Sequence, residues 1–292
     1  MNKPGIFFAL VLLLAGLMSR GVGFAAERIV TVSPAATETV FALGGGNQVV
    51  GVDTTSLYPP EAQELPKLGF HRQLSAEGIL SLNPTIVICT DQSGPETVLR
   101  QIEDAGVRVE RLASGHDVAD AQARIARIGE ILGQPEAARN LIARMQAQVE
   151  AIQKLLVHGP TPLSVLFIYA RGGGTLNVSG TGTAADAMIR LAGGRNAVTG
   201  YEGYKPLTSE AVVTAAPDVL LLTTHGLEEM GGVDGLLKVP GLAHTPAAKN
   251  QRILALDDLL LLGFGPRLGE AVTELAKALY CPVPSHPTPA AP

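Results

Sequence analysis

The chain has 292 residues, 46% of them hydrophobic and 17% charged, with 33 Gly and 20 Pro. That apolar content excludes a disordered chain, and the glycines and prolines exclude a coiled coil. A net charge of -5 with no basic block argues against a nucleic-acid partner, and 2 Cys are too few for a disulfide scaffold or a zinc module.

In chain order, residues 1–26 read as a secretory signal peptide. Lys3 is followed by the apolar run Ile6–Met18, then by small residues up to Ala26. The run is shorter than the roughly 20 residues a membrane-spanning helix needs, and Arg20 follows it at once. Arg28–Val32 reads as a buried strand. Ser33-Pro34 then opens a helix as N-cap and first helical residue, and Gly44–Gly46 ends it. Val49–Val52, Ile86–Thr90 and Val107–Leu112 are further strands, with a helix near Pro95–Ala105. From Asp117 to Leu156 the pattern is helical, and Ala138, Leu141, Ile142, Met145, Val149, Ile152 and Leu156 form an amphipathic stripe. Strands then resume at Ser164–Ile168, Val219–Thr224 and Ile253–Leu256. Helices are expected near Ala184–Ala192 and Pro266–Leu279, and the Pro/Ala-rich end reads as a disordered tail.

Buried strands alternating with helices predict α/β architecture with mostly parallel sheets. The two halves also echo each other. Leu74-Ser75-Ala76-Glu77 leads through Pro84 to the apolar run Thr85–Thr90, and Leu207-Thr208-Ser209-Glu210 leads, at the same interval, through Pro217 to Asp218–Thr223. Either copy alone is ordinary α/β grammar. Two copies flanking a helical stretch predict two related lobes joined by a long helical connector, with the ligand cleft between them. The expected boundaries are a lobe over 27–113, a connector over 114–158, a second lobe over 159–280 and a tail over 281–292.

No nucleophile elbow, His-Glu-x-x-His pair, phosphate loop or dinucleotide fingerprint occurs, and the 6 His show no close-paired ligand spacing. These absences weigh against a secreted α/β enzyme. The richest stretch is Gly69-Phe70-His71-Arg72-Gln73-Leu74-Ser75-Ala76-Glu77-Gly78, where an aromatic face, an imidazole and a guanidinium stand together before a helix. Such a trio suits a flat, apolar, anionic metal complex.

That loop with Leu80-Ser81-Leu82, together with Thr31–Thr39, Thr183–Ile189, Tyr204-Lys205-Pro206-Leu207 and Leu262–Arg267, resembles the periplasmic haem-binding proteins of bacterial ABC importers. Those belong to a wider class that includes cobalamin and ferric-siderophore binders. The resemblance implies an exported, monomeric, non-enzymatic protein of the periplasm. It would have no catalytic cofactor, would carry haem as cargo, and would deliver it to an inner-membrane ABC permease dimer. Cobalamin or a ferric siderophore is the alternative cargo, and a haem chaperone or sensor without a permease is a further one.

The family's usual axial ligand is a Tyr following the loop glycine, where this chain has Phe70, and the His that some members carry in the second lobe is here Arg171. His71 is then the first candidate ligand for haem iron, with Tyr204 and Tyr169 behind it. In an extended segment residue 71 points away from residue 70, so His71 requires a local change of the loop. Arg72, Arg171 and Arg267 are candidates for the propionates. Glu77 and Glu210 match the two lobe-surface glutamates that meet permease arginines. Tyr58, His116, His158 and His286 read as ordinary surface or loop residues.

Overall fold

Strand β1 (Ile29–Val32) is buried at every position and lies between β2 (Val49–Val52) and β3 (Ile86–Thr90), with β4 (Arg108–Leu112) beyond β3. All the pairings are parallel, as expected for apolar strands separated by helical crossovers. The computed structural model describes residues 27–157, 159–170 and 175–281. The signal peptide expected over 1–26, His158, Arg171 and the residues from 282, including His286, lie outside the described residues.

Helix α1 (Pro34–Ala42) starts with Pro34 in its first turn, and Ser33 holds the N-cap position without a capping side-chain bond. Helices α2 (Ala76–Leu80) and α3 (Glu96–Asp104) complete the first lobe. β4 is one of the two edge strands, and Arg108, Glu110 and Arg111 along it discourage further pairing.

The helical stretch is two helices, not one. α4 (Val118–Ile131) ends at Gly133, whose φ of 64° reverses the chain, and Pro135 opens α5 (Pro135–Leu156). Ala138, Leu141, Met145, Val149 and Ile152 of the predicted stripe are buried.

The second lobe is built on β5 (Ser164–Tyr169), β6 (Asn177–Ser179), β7 (Arg195–Asn196), β8 (Tyr204–Pro206), β9 (Val219–Thr223) and β10 (Ile253–Leu256), in the order β10-β9-β5-β6-β8 with β7 also on β5. β10, β9, β5 and β7 are parallel, whereas β6 and β8 are antiparallel. The antiparallel pair was not legible as strands, being three residues each with Pro206 in β8. Pro206 is tolerated because β8 is an edge. Around this sheet lie α6 (Ala184–Leu191), α7 (Ser209–Ala215), α8 (Thr224–Glu229), α9 (Gly232–Leu236), α10 (Pro246–Lys249), α11 (Asp258–Leu262) and α12 (Leu268–Tyr280).

One apolar core runs through both lobes. It includes Val40 and Ile88 of the first lobe, Ile128 and Met145 of the connector, and Val165, Leu221 and Leu275 of the second. One smaller apolar cluster belongs to each lobe, around Val30, Val87 and Leu99 in the first and Leu166, Leu220 and Leu236 in the second. No helix among the described residues is long and apolar enough to cross a membrane. Cys89 is a buried free thiol whose pKa burial pushes up to about 11, and Cys281 is free and exposed.

Candidate functional site

The strand ends of both lobes meet at a cavity of about 610 Å³, lined from the first lobe by Phe70, His71 and Arg72 and from the second by Tyr169, Asn177 and Tyr204. A volume of that size falls in the ordinary range for small-molecule sites.

The Phe70–Arg72 loop is a turn rather than an extended segment. Gly69 has a φ of 88°, and the Gln73 N–H donates to the Phe70 carbonyl at 2.7 Å. The loop is clamped by the Gly94 N–H on the His71 carbonyl (2.9 Å) and by the Thr54 N–H on the Gly69 carbonyl (3.0 Å). In a turn, successive side chains need not alternate, so Phe70, His71 and Arg72 all reach the cavity. Phe70 is 39% exposed, and its ring centroid lies 4.2 Å from that of His71. Burial lowers the His71 pKa, with Arg72 adding to the effect against Asp53, so the imidazole is neutral at pH 7. His71 Nδ1 is buried without a hydrogen-bond partner. The second hydrogen bond that usually orients a ligating imidazole is therefore missing. Arg72 donates from Nη2 to Gln92 Oε1 (2.7 Å), and Gln92 in turn donates to Ser114 (2.9 Å).

Sheet register builds the opposite wall. Tyr169 of β5 pairs with Asn177 of β6, which pairs with Pro206 of β8. Tyr204, two residues from Pro206, therefore shares the face of Tyr169 and Asn177. The two tyrosine rings lie 5.7 Å apart. Tyr204 is 44% exposed, and desolvation of its hydroxyl pushes its pKa up to about 12, with nearby Thr183 acting in the opposite direction.

Arg267 does not line the cavity. Its Nε and Nη2 donate to the two Glu38 carboxylate oxygens at 2.9 and 2.8 Å, and its guanidinium stacks on Tyr58 at 3.6 Å. Glu38 is 4% exposed, and burial raises its pKa despite Arg267. This bidentate pair fastens α1 to the start of α12, which is what occupies the guanidinium proposed for a propionate. Glu77 and Glu210 are exposed in the first turns of α2 and α7, helices capped by Ser75 and Thr208 respectively.

Among the cavity residues given no site role in the sequence are Arg124 and His116, the latter read as an ordinary surface or loop residue but placed here on the cavity wall. Both follow the carboxyl end of β4, where open α/β sheets place their ligands, so that position was the available signal. The His116 ring lies 5.4 Å from Phe264, and burial, with Arg124 nearby, lowers its pKa. No group of three His, Cys, Asp or Glu among the described residues could hold a bare metal ion.

Two α/β lobes closing on a cavity, with a helical connector behind it, define a two-lobed ligand-binding protein. The chain belongs to the periplasmic binding protein family, whose model matches residues 29–260. It is 48% identical to the periplasmic heme-binding protein RhuT from Roseiflexus sp. RS-1, with a TM-score of 0.84 over 88% of this chain and 98% of that one. The heme-binding protein HmuT is 32% identical, with a TM-score of 0.79 over 88% of this chain and 85% of that one. Variant structures of HmuT replace a histidine, a tyrosine and the arginine two positions after that tyrosine. A cobalamin-binding protein of Halobacterium salinarum is 26% identical over 87% of this chain and 69% of its own length.

Proposed function

We propose that this protein captures haem between its lobes in the periplasm and hands it to the permease of an ABC importer. The observation that carries the reading is the composition of the two walls. The imidazoles of His71 and His116 line a mostly apolar slot together with the phenols of Tyr169 and Tyr204 from the second lobe, and the guanidinium groups of Arg72 and Arg124 share its wall. Imidazole and phenolate are both axial ligands of ferric haem, and guanidinium pairs with carboxylate by two hydrogen bonds.

The likeness to RhuT supports the same cargo. The residues replaced in HmuT also have counterparts in spacing. Tyr169-Ala170-Arg171 is the one Tyr-x-Arg in this sequence, and His71 precedes Tyr169 by the HmuT interval to within one residue. His71 and Tyr169 line the cavity, one from each lobe, and are taken as opposed ligands, with Arg171 kept as a propionate candidate. Tyr204, whose ring lies tilted at 5.7 Å from that of Tyr169, then acts as its neighbour and as the alternative ligand. Glu77 and Glu210 are the proposed permease contacts.

Titration of the purified protein with hemin and, separately, with cobalamin tests the assignment. Hemin is expected to give a shifted Soret band that saturates at a simple stoichiometry, with no tight binding of cobalamin. Saturable cobalamin binding with only the spectrum of free hemin would reverse the cargo.

A further inference from the structure

Arg124, in the first half of α4, is 5% exposed and lines the cavity where the two lobes meet. Its Nη1 donates to the carbonyls of Ala113 (2.8 Å) and Gly115 (3.0 Å), and its Nη2 to that of Phe264 (2.8 Å) in the second lobe. Three of the five guanidinium N–H donors are thus taken by neutral carbonyls. Nε–H and one hydrogen on Nη2 are uncommitted, and no carboxylate among the described residues is ion-paired with the group. Asp91, Asp117 and Asp120 act on it only at longer range, and the first two are exposed to solvent.

A buried charge without a counter-ion is expensive unless something else supplies one. Here the guanidinium cannot swing away, because its three carbonyl bonds fix it to both lobes. Beside it on the cavity wall stand the neutral imidazole of His116 and the hydroxyl-bearing Ser114. Arg72, the other described guanidinium on the cavity, is exposed and engaged with Gln92. The two therefore differ in the solvent that competes for them.

We infer that Arg124, with His116 and Ser114 beside it, forms a carboxylate-binding subsite where the lobes meet, and that it takes one acidic group of the cargo. This subsite rests on the haem reading, since haem offers two propionates. It makes the buried end of the cleft selective for an anionic porphyrin. The same side chain that holds the two walls together then senses the occupant.

The test compares hemin with hemin dimethyl ester, by absorption titration of the full mature protein and of its Arg124→Met and Arg124→Lys variants. Loss of a charge-assisted hydrogen bond should weaken hemin binding by about tenfold or more in Arg124→Met. Ester binding, which feels only the loss of the three carbonyl bonds, should fall by much less than hemin binding, and Arg124→Lys, which keeps the charge, should retain a preference for hemin over the ester. Equal losses for both ligands would reduce Arg124 to a fastener between lobes and overturn the subsite, as would no loss for either. If Arg124→Met does not fold, absence of a hemin preference in Arg124→Lys overturns it as well. A wild-type protein that binds both pigments equally defeats the subsite alone, whereas one that binds neither defeats the cargo reading with it.

Discussion

At the scale of single residues, the loop glycine is followed by Phe70, which cannot ligate iron, and the turn after Gly69 brings His71 to the wall instead. Phenolate and imidazole give different charge-transfer bands and different electron paramagnetic resonance signals on ferric haem. His71→Ala is expected to remove an imidazole signature and weaken hemin binding, while Tyr204→Phe leaves that signature in place. A purely tyrosinate spectrum that survives His71→Ala would assign the iron to the second lobe. The two cavity histidines also make a pH prediction. Burial lowers both pKa values below the ordinary 6.5. Around that value the unfolded chain therefore binds more protons than the folded one, and stability falls as pH falls. Urea midpoints of the cargo-free protein should drop as pH is lowered through 6.5, and the drop should shrink in the His71→Ala/His116→Ala double variant.

At the scale of elements, the connector works by close approach. Gly269 lies where α12 crosses α5, and a Cβ there would sit 2.7 Å from the Met145 carbonyl oxygen and 2.5 Å from Gln148 Oε1. Gly129 of α4 similarly leaves room for Ala138 of α5. Because the Met145 carbonyl belongs to helix backbone, it cannot yield as a flexible side chain would. Gly269→Val should therefore destabilise the protein by about 1–3 kcal/mol, read as a lower urea midpoint, with the hemin spectrum of the folded fraction unchanged. Stability equal to the parent would show that the helices can separate freely at this crossing. Short elements follow different physics. β6 and β8 owe their strand conformation to pairing with β5 and with each other, since each has one strand-favouring residue, Val178 and Tyr204 respectively.

At the scale of the whole molecule, the lobes are not free bodies on a hinge. They share one apolar core through α4, α5 and α12, and Glu38–Arg267 and Arg124–Phe264 tie them again beside the cavity. Cargo capture should therefore move the lobes little, and a permease would be met by an almost unchanged surface. On that surface Glu77 and Glu210 hold matching positions at the starts of two matching helices. Reversing both charges, Glu77→Lys with Glu210→Lys, should abolish hemin uptake by cells and leave the hemin titration of the purified protein unaltered. Loss of hemin binding in the double variant would place one of these carboxylates in cargo recognition instead.

The amino-acid sequence by itself determined the alternation of buried strands and helices, the duplicated lobe, the helical connector and the loop around His71. Each of these is a local pattern of apolar spacing, capping residues and turn residues. The phenol wall, the antiparallel edge of the second sheet and the position of Arg124 were decided only in tertiary structure. Tyr169 and Tyr204 meet because strand register puts them on one face, and register depends on partners that a single segment does not contain. The fates of Arg267 and Arg124 were likewise invisible along the chain. One guanidinium finds a buried carboxylate 229 positions away, and the other finds only carbonyls. Which charge is left for a ligand is settled by those long-range partners.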